Sequence, residues 1–236
     1  MDRLSLLSSR PESLAQVVYA SIRQAIVDKT LPPGGEISEV GLARRLNVSK
    51  TPVREAVLRL REQHLLEQDE NRSLRVVAPS AARINNAYEV RAALEAHAAA
   101  LAAIRATPEQ VDKMAELAQM TVDTCEDNNT FDFRRWDVDL HQLMARSSAN
   151  GQLAEMTISA IQLTDVLRTR DVPATAASKK CATEHVALVK AIGDGNADRA
   201  REIALAHIQS VHKRLLEVYT QREGDDPERT EPAAMR

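Results

Sequence analysis

From Ala81 to Gln221 the chain reads as one helix after another. Apolar residues recur at helical spacing over about 81–105, 108–127, 131–147, 151–170, 176–193 and 197–221. The breaks carry their own chemistry: Thr107-Pro108, Asn128-Asn129, Asn150-Gly151, Asp171-Val172-Pro173 and Gly193-Asp194-Gly195-Asn196. Composition agrees. Ala, Leu, Glu and Arg dominate, all good helix formers, while Gly occurs only 7 times and aromatic residues make up 3%. This part of the chain is expected to be an all-helical bundle.

The first 78 residues follow a different plan. Leu14, Val17, Val18, Ile22, Ala25 and Ile26 form a single helical stripe, with Ser13 placed to cap it. LPPGGE then turns the chain. Ser38 can cap a short helix whose Leu42, Ala43 and Leu46 face inward, Asn47 and Val48 make a turn, and Ser49 can cap a third helix that tolerates Pro52 in its first turn. Leu65-Leu66 and Leu74, Val76 and Val77 bracket a polar tip, the pattern of a two-stranded hairpin. Three helices and a hairpin predict a winged helix-turn-helix, with Ala78-Pro79-Ser80 as the hinge to the bundle. The expected class is mainly α: a reading domain at 10–78, a bundle at 82–220, and a charged tail at 221–236 too poor in apolar residues to fold.

Net charge is −3, with 12 Lys+Arg against 10 Asp+Glu in residues 1–78 and 19 against 24 beyond them. A nucleic-acid contact must therefore rest on where particular side chains sit. The N-terminal residues of a second helix-turn-helix helix face base edges. Here they are Ser49, Lys50, Thr51 and Arg54. Lys50 and Arg54 can donate to guanine or phosphate, and the two hydroxyls suit either. Arg44 and Arg45 on the preceding helix could reach the DNA backbone, and Arg72 and Arg75 on the wing a minor groove. Arg59 and Arg61 read as solvent-facing or ion-paired.

In the bundle, Asp137 and His141 stand four apart, one turn of one helix face. His185 and His207 must come from two other helices, and a bundle can aim all three at one point. Neutral imidazoles with one carboxylate suit Zn²⁺, Ni²⁺, Mn²⁺ or Fe²⁺. Cys125 and Cys181 match no close-spaced metal or redox motif and read as reduced thiols. No apolar run is long enough for a membrane span, and MDRLSLLSSR is too short in apolar residues for a secretory signal, so a cytoplasmic protein without membrane contact is expected.

LPPGGEISEVGLARRLNVSKTPVREAVLRL resembles the N-terminal domain of GntR-family bacterial transcription regulators over about residues 10–78. That likeness implies a winged helix-turn-helix that binds a short palindromic operator as a homodimer. The chain departs from the family's pattern at His64 and Ser73, where Gly is usual, and at Lys50, where Arg is commoner. The second half, through RAALEAHAAALAA, DVDLHQLMARSSANGQL, TEHVALVKAIGDGNADRA and AHIQ, resembles the family's FadR-type C-terminal domain over about 82–220. The likeness implies a metal held by Asp137, His141, His185 and His207, and a ligand carboxylate met by Arg91. Arg91 could instead form an i,i+4 ion pair with Glu95.

The expected function is thus a DNA-binding transcription regulator, a repressor or an activator, controlled by a small carboxylate effector at a divalent metal. A metal-sensing regulator is a second reading. A metallohydrolase is a third, although no further carboxylate stands at motif spacing to act as its general base.

Overall fold

The computed structural model describes residues 13–69, 71, 73–126, 130–168 and 176–225. The chain divides into two compact units between Ala78 and Pro79. Among the described residues there are nine helices and three short strands.

The N-terminal unit contains α1 (Leu14–Val27), β1 (Glu36–Ile37), α2 (Glu39–Leu46), α3 (Lys50–Glu62), β2 (Leu66–Gln68) and β3 (Leu74–Val76). The caps are chemical. Ser13 accepts from Gln16 N–H, and Ser38 accepts from Gly41 N–H. Ser49 takes the cap position of α3, but its hydroxyl makes no cap hydrogen bond. Asn47 ends α2 in the left-handed region at φ 53°, which makes the tight turn into α3. Val18, Ile22 and Ile26 of α1 are buried, as are Val53, Val57 and Leu60 of α3 on which that helix packs. Each such side chain contributes roughly 1.5–3 kcal/mol by leaving water.

The wing holds more than the expected hairpin. β1 joins it, giving an antiparallel sheet in the order β1-β3-β2. Gly34 N–H donates to Val76 O, and Val76 N–H donates to Gly35 O. The turn before β1 needs its glycines. Gly34 has φ +73°, and a Cβ on Gly35 would meet Pro32 O at 2.8 Å. A two-residue strand is too short to alternate visibly, so sequence patterning misses it.

The C-terminal unit is all helix: α4 (Ala81–Arg105), α5 (Pro108–Glu126), α6 (Thr130–Ser147), α7 (Gly151–Leu167), α8 (Ala176–Gly193) and α9 (Ala197–Asp225). α4 packs along α9 and α7, and α5 lies against α6 and α8. Ala98, Ala99, Ala100 and Ala102 are buried on α4, where small side chains permit close helix approach. Met114, Leu140, Met144, Leu188 and Ile192 fill the core beside them. Thr107 and Gln110 cap each other reciprocally ahead of α5, whose first residue is Pro108. Asn150 caps α7 through Leu153 N–H. α9 runs to Asp225, past its expected end at 221, and α7 is followed by an extended Arg168 rather than reaching 170. The breaks expected at Asn128-Asn129 and Asp171-Val172-Pro173, and residues 226–236 of the expected tail, lie outside the described residues.

Candidate functional site

Helices α6, α8 and α9 bring Asp137, His141, His185 and His207 together, with one donor atom from each lying within 4.8 Å of the others. All four are buried, at 2%, 0%, 0% and 2% exposure. Asp137 Oδ1 lies 3.2 Å from His185 Nε2 and 3.7 Å from His141 Nε2. The Nε2 atoms of His141 and His185 are 3.3 Å apart.

The outward ring nitrogens explain why the inward ones converge. His141 Nδ1 is held by Glu95 Oε2, and His207 Nδ1 lies 2.8 Å from Glu184 Oε2. Carboxylates only accept, so both Nδ1 atoms carry the proton. His185 Nδ1 lies 3.1 Å from Thr121 Oγ1, whose own proton goes to Ala118 O at 2.7 Å. The hydroxyl therefore accepts from His185 as well. Three lone pairs at Nε2 and a carboxylate oxygen then face one buried point. Placing protons there would crowd charged rings against each other in a low dielectric. A single divalent cation satisfies all four groups, and Nδ1 donation to an outer acceptor is how metal-binding histidines are generally oriented. The donor set fits a metal ion.

The carboxylates are poised to stay ionised. Burial opposes charge on Asp137, but its neighbours, the Arg168 guanidinium among them, hold it well below the usual carboxylate range. Arg168 Nη1 donates to Asp137 Oδ2 at 3.1 Å, which leaves Oδ1 toward the histidines. Burial likewise opposes charge on Glu95, yet Arg91 and His141 bring it down to about 2.

Arg91 makes the i,i+4 pair. Its Nε donates to Glu95 Oε1 at 2.5 Å, and Nη1 donates to Thr164 Oγ1 at 3.1 Å. The Arg91 guanidinium carbon lies 5.9 Å from the centre of the Tyr88 ring. Among the described residues, the Tyr88 hydroxyl is the buried side-chain polar atom with no hydrogen-bond partner.

The reading head is arranged as a surface. Arg44, Arg45, Ser49, Lys50, Thr51 and Arg54 are all exposed, the last four at the start of α3. Arg75 is instead engaged within the wing. It donates to Asp69 at 2.9 Å, to Gly34 O at 3.2 Å and to Glu36 at 3.3 Å. Arg72 lies outside the described residues. Arg59 stacks over Tyr19 at 4.1 Å. Arg134 pairs with Asp165 at 2.6 Å.

Sequence reasoning missed Thr121, Glu184, Arg168 and Tyr88. A signal existed for Glu95, a charge set in the alanine-rich run RAALEAHAAALAA. Glu184 adjoins His185 in sequence but serves His207, 23 residues away.

A winged helix-turn-helix joined to a helical bundle is the architecture of a DNA-binding transcription regulator. Residues 14–76 match the family described as bacterial regulatory proteins, gntR family, and residues 86–210 match the FCD domain. The chain belongs to the GntR family of transcription regulators, in the group that carries an FCD domain; it is not an enzyme. It is 27% identical over 204 residues to the HTH-type transcriptional repressor RspR of Escherichia coli, spanning 86% of this chain and 89% of that protein. It is 28% identical over 186 residues to the Nta operon transcriptional regulator of Aminobacter aminovorans, spanning 79% and 87%. The fold matches E. coli McbR/YncC with a TM-score of 0.76 at 21% identity, over 89% of this chain and 100% of that one. Among the described residues no helix is long and apolar enough to cross a membrane.

Proposed function

We propose that this regulator is a cytoplasmic, homodimeric repressor whose signal is a small carboxylate bound at a divalent metal in the bundle. One observation carries the reading: three imidazoles turn Nε2 toward Asp137 while outer partners hold each Nδ1. Asp137, His141, His185 and His207 would hold the ion, which supplies a Lewis-acidic position for an effector carboxylate.

The surrounding residues support a ligand with a second oxygen-bearing end. The Tyr88 hydroxyl is buried without a partner, and the Arg91 guanidinium lies 5.9 Å from the centre of its ring. An oxygen of the effector would satisfy that hydroxyl. Effector binding then shifts the bundle only as far as it distinguishes two arrangements of the protein. Two reading heads, each offering Ser49, Lys50, Thr51 and Arg54, would engage the halves of a palindromic operator. The exposed Arg44 and Arg45 would take phosphates.

The test is retardation of the DNA upstream of the regulator's own gene by chelator-stripped and metal-reloaded protein, with and without a panel of small mono- and dicarboxylic acids. Release from DNA by an acid, only when metal is loaded, is expected. A response to metal alone would make the ion the signal, and no response to either would overturn the reading.

A further inference from the structure

The metal cluster has a sulfur atom on its edge. Cys181 is a free thiol, 3% exposed, on α8. Its Sγ lies 3.7 Å from His185 Nε2 and 3.9 Å from His207 Nε2. These are two of the three inward nitrogens, whose lone pairs already face the cluster. A thiol has one proton and can donate to only one of them. The other nitrogen then meets a sulfur lone pair at contact distance unless a cation lies between.

The sequence carries the same geometry twice. Asp137 precedes His141 by four residues in DVDLH, and Cys181 precedes His185 by four in CATEH. Each pair stands on one helix face, one turn apart. α6 and α8 thus each present two donors, and α9 adds His207.

We propose that Cys181 is a fifth protein donor to the ion, giving the set Asp137, His141, Cys181, His185 and His207. The inference rests on the metal reading above. With metal–nitrogen bonds of about 2.0–2.1 Å and metal–sulfur bonds of about 2.3 Å, neighbouring N and S donors stand roughly 3.1–3.6 Å apart. The observed 3.7 and 3.9 Å lie a few tenths of an ångström beyond the wide end of that range, and must close by about 0.6–0.8 Å (3.7 − 3.1 and 3.9 − 3.1) around a six-coordinate ion. The donor is the thiolate, so ligation releases the thiol proton to solvent. A sulfur donor favours Zn²⁺ over Mn²⁺ as the resident ion. It also leaves a six-coordinate ion a single position for an effector carboxylate.

Cobalt(II) added to the reduced, chelator-stripped full chain tests this, read by absorption. Visible d–d bands shifted and strengthened relative to those of free aqueous cobalt(II) report that the ion is bound. A near-ultraviolet sulfur-to-cobalt charge-transfer band reports a thiolate on it. Both are expected in the wild type and in Cys125→Ser. Cys181→Ser should keep the d–d bands and lose the charge-transfer band, with its helical circular dichroism unchanged. Wild-type d–d bands without charge transfer would overturn the sulfur ligand while leaving the metal site intact. A charge-transfer band lost in Cys125→Ser and kept in Cys181→Ser would overturn the assignment to Cys181. Absence of cobalt binding altogether would overturn this inference together with the metal reading.

Discussion

Glu95 holds the outward nitrogen of His141, and the same ring turns its other nitrogen to within 3.7 Å of Asp137. A charged residue on α4 thereby sets the aim of a donor on α6. Glu95→Gln keeps the shape but loses the charge. It should weaken divalent-ion binding by ~10–100-fold, the usual effect of losing an outer partner of a metal-binding histidine. It should also lower the melting temperature, because Arg91 keeps a buried charge without its carboxylate. Competition against a chromophoric chelator measures the first effect, and unchanged affinity would contradict the role given to Glu95.

Arg54 stands exposed at the start of α3, beside Lys50 and Thr51. Arg54→Ala should cost about 1–3 kcal/mol in operator binding if it reads a base. Arg61→Ala, on the last turn of the same helix, should cost much less. Fluorescence anisotropy at fixed salt separates the two, and equal losses would displace the reading surface from the start of α3.

His64 adopts φ +57°, in the left-handed region that favours Gly. It closes α3: its N–H donates to Arg61 O, and Leu65 N–H donates to Leu60 O. The left-handed region costs a side chain roughly 1–2 kcal/mol, partly offset because Gly is freer when unfolded. His64→Gly should therefore stabilise the N-terminal unit by about 1 kcal/mol, raising its calorimetric transition by ~4–8 °C for a domain of this size. Loss of stability would contradict the strain.

Asp69 ties the wing. It accepts from Asn71 N–H at 2.9 Å, Ser73 N–H at 2.8 Å and Arg75 Nε at 2.9 Å. Arg75 is the main cause holding its carboxyl below the ordinary 3.8, aided by those backbone donors. A depressed carboxylate stabilises the fold above its unfolded value, and that contribution fades as pH falls from about 3.8 through the lower folded value. Carboxyl-detected NMR should show Asp69 titrating below 3.8, and Asp69→Asn should reduce the wing's acid sensitivity. An ordinary titration would contradict the tie.

The helices were legible because Gly, Pro and Asn mark their ends: Thr107-Pro108 opens α5, and Asn150 caps α7. β1 was not, since Glu36 and Ile37 are too few to show a period and pair only through β3. The Asp137–His141 pair was legible as one helix turn. Its setting was not. Thr121, Glu184 and Arg168 act across helix contacts between residues 64, 23 and 31 positions apart, which no local spacing encodes. Cys181 has no close-spaced cysteine partner in the sequence; its neighbour in the structure is a histidine one turn on.

Asp137, His141, His185 and His207 are proposed to hold one divalent ion. Calorimetric titration of Zn²⁺ into chelator-stripped wild type and a His141→Ala/His185→Ala double variant tests it most directly. About one ion per chain is expected in the wild type and none bound tightly in the variant, which should still retard operator DNA. No binding to the wild type, or equal binding to both, would contradict it.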